Sequence, residues 1–428
     1  MDDSLLKKIH NLEVNICIVG LGRVGLPLAC VFASKGLKVV GLDVDRNRIE
    51  SISNQKSPFH DSALQEILEK VVKSGNLLVS DSSEAIKDNV DVIIITVGTP
   101  NTLESSIDYS QLYSALDEIS ALDLHDKFII LRSTMPPNTT KEIVIPYLES
   151  KTQLKCGNDF LIAVCPERIL EGHALKEIHE LPEVIGGFNE SSNKLAAELF
   201  LLINPDKDIL YTSMLGAEFV KLFTNIYRYI SFALSNEFAV WAEKFGLDAK
   251  ELIKIANYKY PRANIPIPGF VGGPCLSKDG TFLDNNTTFS SIISAAWKLN
   301  EAIPQHITNN IRKISGNLFN KKIAILGLSF KANSDDLRNS PSVKLVKILE
   351  SIGAVVKVHD PFVKGTHSLS DALQSSEIVV IATNHNKFKE ISQELNNCGC
   401  KIIYDVWGIY NENEFDRPKY YRFGKALE

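Results

Sequence analysis

The stretch NICIVGLGRVGLPLACVFASKGLKVVGLD, residues 15–43, decides the fold. Five apolar-rich residues, 15–19, lead straight into Gly20, Gly22 and Gly25. A helical pattern follows, and a second apolar run ends on Asp43, 18 residues after the last glycine. Strand, G-x-G-x-x-G turn, helix, strand and acid in that order open a dinucleotide-binding α/β unit. Each part has a physical task. The glycines permit a tight turn and close backbone approach, the helix start faces a pyrophosphate, and the carboxylate accepts from ribose hydroxyls. An acid at 43 repels a 2′-phosphate and so favours NAD over NADP, while Arg48, five residues on, is placed to counter that charge.

Working outward, short apolar runs at 15–19, 38–42, 92–97, 128–131 and 160–164 alternate with longer amphipathic stretches. That alternation predicts a parallel sheet with helices on both faces. From 212 to 245 the pattern becomes one long proline-free helix, with Gly246 placed to end it. A glycine- and proline-rich loop, 261–274, comes next, and strand-like runs return at 322–326, 355–359, 378–382 and 402–406. IVGLGRVG with VVGLDVD in the first half is echoed by ILGLSFK with VKVHDP in the second. The expectation is therefore two Rossmann-like doubly wound α/β domains, 1–205 and 316–428, joined by a helical region at 206–315.

Composition narrows the function. A chain of 428 residues holds two or three domains, and 44% hydrophobic with 23% charged residues excludes a disordered scaffold. A net charge of −6 gives no global field for nucleic acid or an anionic membrane. No apolar run approaches the roughly 18 to 20 residues of a spanning helix. The first fifteen residues lack the basic start and apolar centre of a signal peptide, so the protein is read as cytoplasmic. Seven scattered cysteines, an odd number in a long chain, argue against a disulfide framework and leave one of them open to catalysis.

Cys275 stands out, following Gly272, Gly273 and Pro274 and preceding a helical pattern. A helix start and Lys278 nearby would favour its thiolate; a small buried cysteine is the plainer alternative. Glu218, Lys221 and Asn225 share one helix face, and the last two can point donors at one spot, as a solvated face can also do by chance. The second turn, Gly327-Leu-Ser-Phe-Lys331, puts Phe330 and Lys331 where a pyrophosphate needs bare backbone. With Arg338 it suits a base and a diphosphate, or is a solvated basic loop. Cys398 and Cys400 read as structural. His173, Glu177, His179 and Glu180 do not have the H-E-x-x-H spacing of a metal site.

Seven ordered segments resemble the UDP-glucose and GDP-mannose dehydrogenase family over nearly the whole chain. They are GLGRVGLPLA at 20–29, VGTP at 97–100, STMPPNTT at 133–140, PERILEG at 166–172, AEFVKLFTN at 217–225, GGPCLSKD at 272–279 and LGLSFKANSDDLRNSPS at 326–342. The resemblance implies four-electron oxidation of a UDP-sugar C6 alcohol to a carboxylate with two NAD+ and one water. Cys275 would form a thiohemiacetal and then a thioester, with Lys221 and Asn225 stabilising oxyanions. Asp279 would accept protons or orient water and Lys221, while Glu167 would activate the hydrolytic water and Thr134 help to hold it. By the same resemblance Gly20, Gly22, Arg23, Val24, Gly25, Asp43, Arg48, Thr99, Thr134 and Glu171 would line the NAD site. Arg168, Lys221, Asn225, Gly272, Phe330, Lys331 and Arg338 would face the UDP-sugar, and Arg262 would reach the site of a neighbouring subunit. The long helix would be the interface of a homodimer. Arg168 after the Pro-Glu pair, and Tyr260-Pro-Arg-Ala-Asn264, look like the UDP-N-acetylhexosamine branch, the manno epimer first. Pro274 replaces the histidine that many of those members carry, Ser277 and Lys278 depart from their usual pattern, and Glu171 replaces an expected proline. UDP-N-acetylglucosamine, UDP-glucose and a non-catalytic nucleotide-sugar binder stay open as alternatives.

Overall fold

The computed structural model describes residues 2–86, 90–100, 107–170, 172–284 and 291–427. It divides into two compact units, Met1–Thr224 and Asn225–Glu428. Residues 206–224 of the expected helical middle thus close with the first unit and 225–315 with the second.

In the first unit the strands are β1 (Asn15–Val19), β2 (Lys38–Leu42), β3 (Leu77–Ser80), β4 (Val92–Ile95), β5 (Phe128–Leu131), β6 (Leu161–Val164), β7 (Glu183–Gly187) and β8 (Ile209–Tyr211). They form one sheet in the order β3-β2-β1-β4-β5-β6-β7-β8. All pairs are parallel except β6 with β7. The first six follow the dinucleotide-fold order, whose reversal between β1 and β4 opens a crevice beyond their carboxyl ends. Register sets Cys17 beside Val40 and Ile93. Side chains then alternate between faces: Ile16, Ile18, Ile94 and Ile130 enter one core, Cys17, Ile93, Ile95 and Ile129 the other. Both faces are covered, which is why these strands read as unbroken apolar runs. β4 stops two residues short of the sequence expectation because Thr96 turns its Oγ1 onto the Val19 and Gly20 carbonyls, at 3.1 and 2.5 Å.

The long helix runs Met214–Lys244. It starts later than expected because the Thr212 N–H still belongs to the sheet, donating to Ile185 O at 2.9 Å. Gly246, at φ +74°, ends it, and the Leu247 N–H returns to Ala242 O. The second unit holds β9 (Lys322–Leu326), β10 (Val355–His359), β11 (Ile378–Ile381), β12 (Ile402–Asp405) and β13 (Lys419–Arg422), parallel throughout in the order β10-β9-β11-β12-β13. Counted from β9 that is 2-1-3-4-5, the other common doubly wound order, with its crevice between β9 and β11. Ile323, Ile325, Val380 and Tyr404 build one side of its core, and Ala324, Leu326, Val379 and Ile403 the other. No helix among the described residues is long and apolar enough to cross a membrane.

Candidate active site

The turn after β1 is shaped by contact distances. Gly20 sits at φ +96°, and a Cβ on Gly25 would lie 1.9 Å from Gly20 O and 2.4 Å from Thr96 Oγ1. Neither position admits a side chain without moving the backbone. A Cβ on Gly22, by contrast, would have nothing within 4 Å. Gly22 is therefore the open side of the turn, where a pyrophosphate can approach the backbone. The helix Gly25–Ser34 begins at once after Val24, and no side chain caps it. In its first turn the Leu26 and Leu28 N–H groups already donate to Gly22 O and Val24 O, at 3.1 and 3.3 Å, and Pro27 has none, so the bare backbone around Gly22 is what the turn offers.

Asp43 is buried at the end of β2. Its Oδ2 accepts from Leu21 N at 2.7 Å and from Arg48 Nη1 at 2.6 Å, and its Oδ1 from Asp45 N at 2.9 Å. A carboxylate offers about four acceptor positions, so a ribose hydroxyl still fits. Arg48 does pair with Asp43, as its spacing suggested. Arg23 lies over the Phe59 ring at 4.7 Å. Thr99 Oγ1 donates to Thr134 O at 2.7 Å, tying the loop after β4 to the loop after β5. These residues fit a dinucleotide. Glu171 lies outside the described residues.

Beyond β5 sits a charge cluster that the sequence did not announce. Arg132, 3% exposed, places Nε and Nη2 each 2.7 Å from Glu167 Oε2 and Nη1 2.7 Å from Glu183 Oε1. Its guanidinium lies 4.6 Å over the Phe200 ring. Lys207 Nζ comes within 3.9 Å of Glu183 Oε2 and donates to Leu181 O at 2.6 Å. Glu167 Oε1 accepts from the N–H groups of Arg168 and Ile169, at 2.7 and 3.0 Å. Burial alone would raise the Glu167 pKa, but Arg132, those two N–H groups and the charge of Lys221 outweigh it and hold the carboxyl below its usual range. At Glu183 burial wins over Arg132, and the carboxyl is held up. Arg168 itself is turned to Pro182 O. Glu218, also buried, takes no part in this cluster; it accepts from Asn138 N, Thr140 N and Thr140 Oγ1.

In the second unit, Cys275 is exposed at the end of the glycine loop. Gly272 packs so closely on the 339–341 segment that a Cβ there would lie 2.5 Å from Asn339 O, and one on Gly273 would lie 2.7 Å from the Phe330 ring. The cysteine loop and the β9 loop are thus fitted to each other. A single turn, Leu276–Asp279, follows, shorter than the helix the sequence suggested. Asp279 N donates to Cys275 O at 3.0 Å. The Asp279 side chain is fully buried, with Oδ2 accepting from Asn225 Nδ2 at 2.6 Å and Oδ1 from Lys278 Nζ at 3.0 Å. Lys278 also lies 4.3 Å over the Phe282 ring. Arg262 is exposed, its guanidinium 4.6 Å over Tyr260.

The loop after β9 is ordered by side chains. Asp360 Oδ2 accepts from Leu328 N and Ser329 N at 2.7 and 3.1 Å, and from His385 Nε2 at 3.1 Å. His385 Nδ1 takes the Asn333 N–H at 2.8 Å, which leaves its proton on Nε2. Burial pushes the Asp360 pKa up, and the His385 contact with the Leu328 and Phe362 N–H groups more than reverses this, to about 2. Arg338 forks onto Asp336 at 2.6 to 3.0 Å. Phe330 and Lys331 are half-buried on the same loop. Asp336, Asp360 and His385 were not singled out from sequence, although Asp360 occupies the place in VKVHDP that Asp43 has in VVGLDVD. Glu177 and His179 find local partners, the Leu170 N–H and Leu175 O. Both Cys398 and Cys400 thiols lie against Leu395 O.

Three stretches of the chain match the UDP-glucose/GDP-mannose dehydrogenase family: its NAD binding domain over residues 14–204, its central domain over 216–302 and its UDP binding domain over 324–412. A UDP-N-acetyl-D-mannosamine dehydrogenase of Methanocaldococcus jannaschii is 35% identical over 415 residues, covering 94% of each chain. The solved structure of the corresponding Pyrococcus horikoshii enzyme superposes with a TM-score of 0.89 at 34% identity, over 96% of this chain and 99% of that one. The UDP-N-acetyl-mannosamine dehydrogenase of Staphylococcus aureus gives 0.86 at 30% identity, over 96% and 98%.

Proposed function

Since the chain belongs to the UDP-glucose/GDP-mannose dehydrogenase family and is an NAD-dependent dehydrogenase of nucleotide sugars, we propose that it oxidises the C6 hydroxyl of UDP-N-acetyl-D-mannosamine to the uronate. The activity for which the similar proteins are named supports the choice of sugar. The observation that carries the chemistry is an exposed thiol, Cys275, one turn from a buried carboxylate, Asp279, that is held by the Asn225 amide.

NAD+ supplies the hydride acceptor, so that the alcohol, two NAD+ and one water give the carboxylate, two NADH and three protons. Cys275 Sγ holds the sugar carbon between the two oxidations: it bonds to the aldehyde carbon and is released when water attacks the resulting thioester. Asn225 Nδ2 donates to the oxygen where negative charge develops, and Asp279 fixes that amide. Lys221 supplies a cation to the same reaction, and Glu167 with Thr134 serves the hydrolytic water. Lys331, Arg338 and Phe330 take the diphosphate and base of the nucleotide.

The acceptor of Arg262 is a second copy of the chain. Tyr227, Leu234 and Trp241, spaced by seven on the long helix and 66%, 45% and 51% exposed, with Phe245 at 71%, form an apolar stripe of the kind a partner helix covers. Trp241→Glu should convert a dimer to monomer in light scattering.

The decisive test counts NADH per sugar over UDP-ManNAc, UDP-GlcNAc and UDP-glucose. Two NADH per UDP-ManNAc, lost in Cys275→Ala, is the expected result. Two per UDP-glucose would overturn the sugar, and uronate formation surviving in Cys275→Ser would overturn the thioester.

A further inference from the structure

The geometry points to Cys398 and Cys400 as a dithiol site that exchanges with small disulfides, glutathione disulfide among them, and closes into a disulfide of its own. The two residues flank Gly399, where the helix Ser392–Asn397 ends and the chain leads into β12. Cys398 caps that helix at φ −70° and ψ −11°, and Gly399 follows at φ +79°. A right-handed residue followed by a left-handed one turns the chain at the glycine. Both sulfurs come to one acceptor as a result: the Leu395 carbonyl oxygen lies 3.3 Å from Cys398 Sγ and 3.8 Å from Cys400 Sγ. Residues two apart in sequence span at most about 7 Å between Cα atoms even when extended. A turn between them shortens that span into the window of about 4.4 to 6.8 Å that a disulfide bridges.

The two thiols differ in ways that assign them different tasks. Cys398 is half-buried and reaches solvent, whereas Cys400 is 6% exposed and packs in the core with Leu326, Phe388 and Leu395. A Cβ on Gly399 would have nothing within 4 Å, so the turn between them is open to an incoming molecule. The Cys400 thiol, opposed by partial burial and helped by the Cys400 N–H, holds the Cys398 pKa below the ordinary thiol value. The same contact, with burial, pushes Cys400 the other way. Cys398 is therefore the attacking thiolate and Cys400 the thiol that resolves. In the first step Cys398 Sγ gives up its proton and bonds to one sulfur of the small disulfide. The S–S bond of that molecule breaks, and its electron pair leaves with the other sulfur, which is protonated. Cys400 then gives up its proton and bonds to Cys398 Sγ, releasing the second small thiolate with its electron pair to be protonated in turn. Two protein thiols are oxidised by two electrons, and one small disulfide is reduced to two thiols.

The test treats the full chain with oxidised glutathione at neutral pH and maps the tryptic peptide Glu390–Lys401, which carries both residues and no other cysteine. Cys275→Ser serves as the background, so that the proposed nucleophile takes up no glutathione. The peptide should lose the mass of two hydrogen atoms, carry no glutathione, and regain the two hydrogens with dithiothreitol. Cys400→Ser should stop one step earlier, with one glutathione on Cys398. Cys398→Ser should react at least about tenfold more slowly, because its remaining thiol is buried. Both thiols left unreacted, over a period in which the same chain unfolded in urea reacts fully, would make them packing residues of the core and overturn the inference. Glutathione held stably on Cys398 beside an intact Cys400, or a disulfide from either residue to another cysteine, would overturn it equally. The mass change is read on the unsubstituted pair, so it decides the matter even if a serine variant fails to fold. None of these readouts involves turnover, and a failure of the dehydrogenase reading would leave them standing.

Discussion

The two glycine turns, one after β1 and one after β9, share a scaffold and differ in what they present. Gly20 and Gly327 have φ of +96° and +94°, and each N–H donates to the last carbonyl of the neighbouring strand, Leu42 at 2.7 Å and His359 at 2.8 Å. The acid that follows that strand accepts from the next residue's N–H at 2.7 Å in both: Asp43 from Leu21, Asp360 from Leu328. A threonine closes each turn from the strand on the other side, Thr96 onto Gly20 O and Thr383 onto Ser329 O. After that they diverge. The first enters its helix at Gly25 and offers bare backbone. The second runs to Pro341 before its helix and offers Phe330, Lys331 and Arg338. One frame thus yields a bare backbone turn in one half and, in the other, the side chains proposed to hold the nucleotide sugar.

Gly25→Ala should break the comparison most severely. Its Cβ would meet backbone at 1.9 Å, so NAD+ affinity should fall by about two orders of magnitude, about 2.7 kcal/mol, while UDP affinity stays within threefold by calorimetry. Gly22→Ala, with open space around it, should weaken NAD+ about tenfold yet leave stability within about 0.5 kcal/mol. Equal losses of stability in both variants would show that the turn is structural only. Next in size, Lys331→Met should weaken UDP binding by about tenfold and leave NAD+ binding unchanged, since one charge-assisted contact to phosphate is removed.

Smaller still is an effect of acid on the second turn. The pKa of Asp360 is lowered in the fold, so its contribution is whole above its unfolded value of about 3.9 and is lost as the pH falls through about 2. His385→Ala removes one of its donors and should move the acid-unfolding midpoint up by a few tenths of a pH unit; an unmoved midpoint would mean that His385 does not brace the loop. The smallest change is expected from Arg48→Ala. Freeing Asp43 of its cation should sharpen the preference for NAD over NADP by about two- to threefold, read from the ratio of kcat/KM values.

Legibility in the sequence followed burial and distance. β1, β2 and β5 could be read with their ends because they are short apolar runs bounded by turn residues. β3, β8 and β13 were not read: LLVS, ILY and KYYR are edge or near-edge strands with exposed or half-exposed side chains, and their pattern is weak. The antiparallel β7 lies in a stretch ending in two glycines, which reads as a turn. In the site, Cys275, Asp43 and Asp279 sit in local motifs. Arg132 does not, since its partners lie 35 and 51 residues away, and an arginine at the end of FIIL reads like any charge closing a strand. Asp336 and Arg338 are two residues apart, so their pairing was within reach of spacing alone.

The separate closing of the two cores also has a consequence in time. Every residue of the first unit's apolar clusters precedes residue 225, and every residue of the second unit's clusters follows it. A ribosome adding about 5 to 20 residues per second needs about 10 to 40 s for the last 204 residues, 428 minus 224. For about the first 3 to 10 s of that interval, until residue 275 is added, the glycine turn and Asp43 already exist on the nascent chain while Cys275 has yet to be made. The coenzyme half can mature and load during translation, and the thiol proposed as the nucleophile is added only after that half has begun to form.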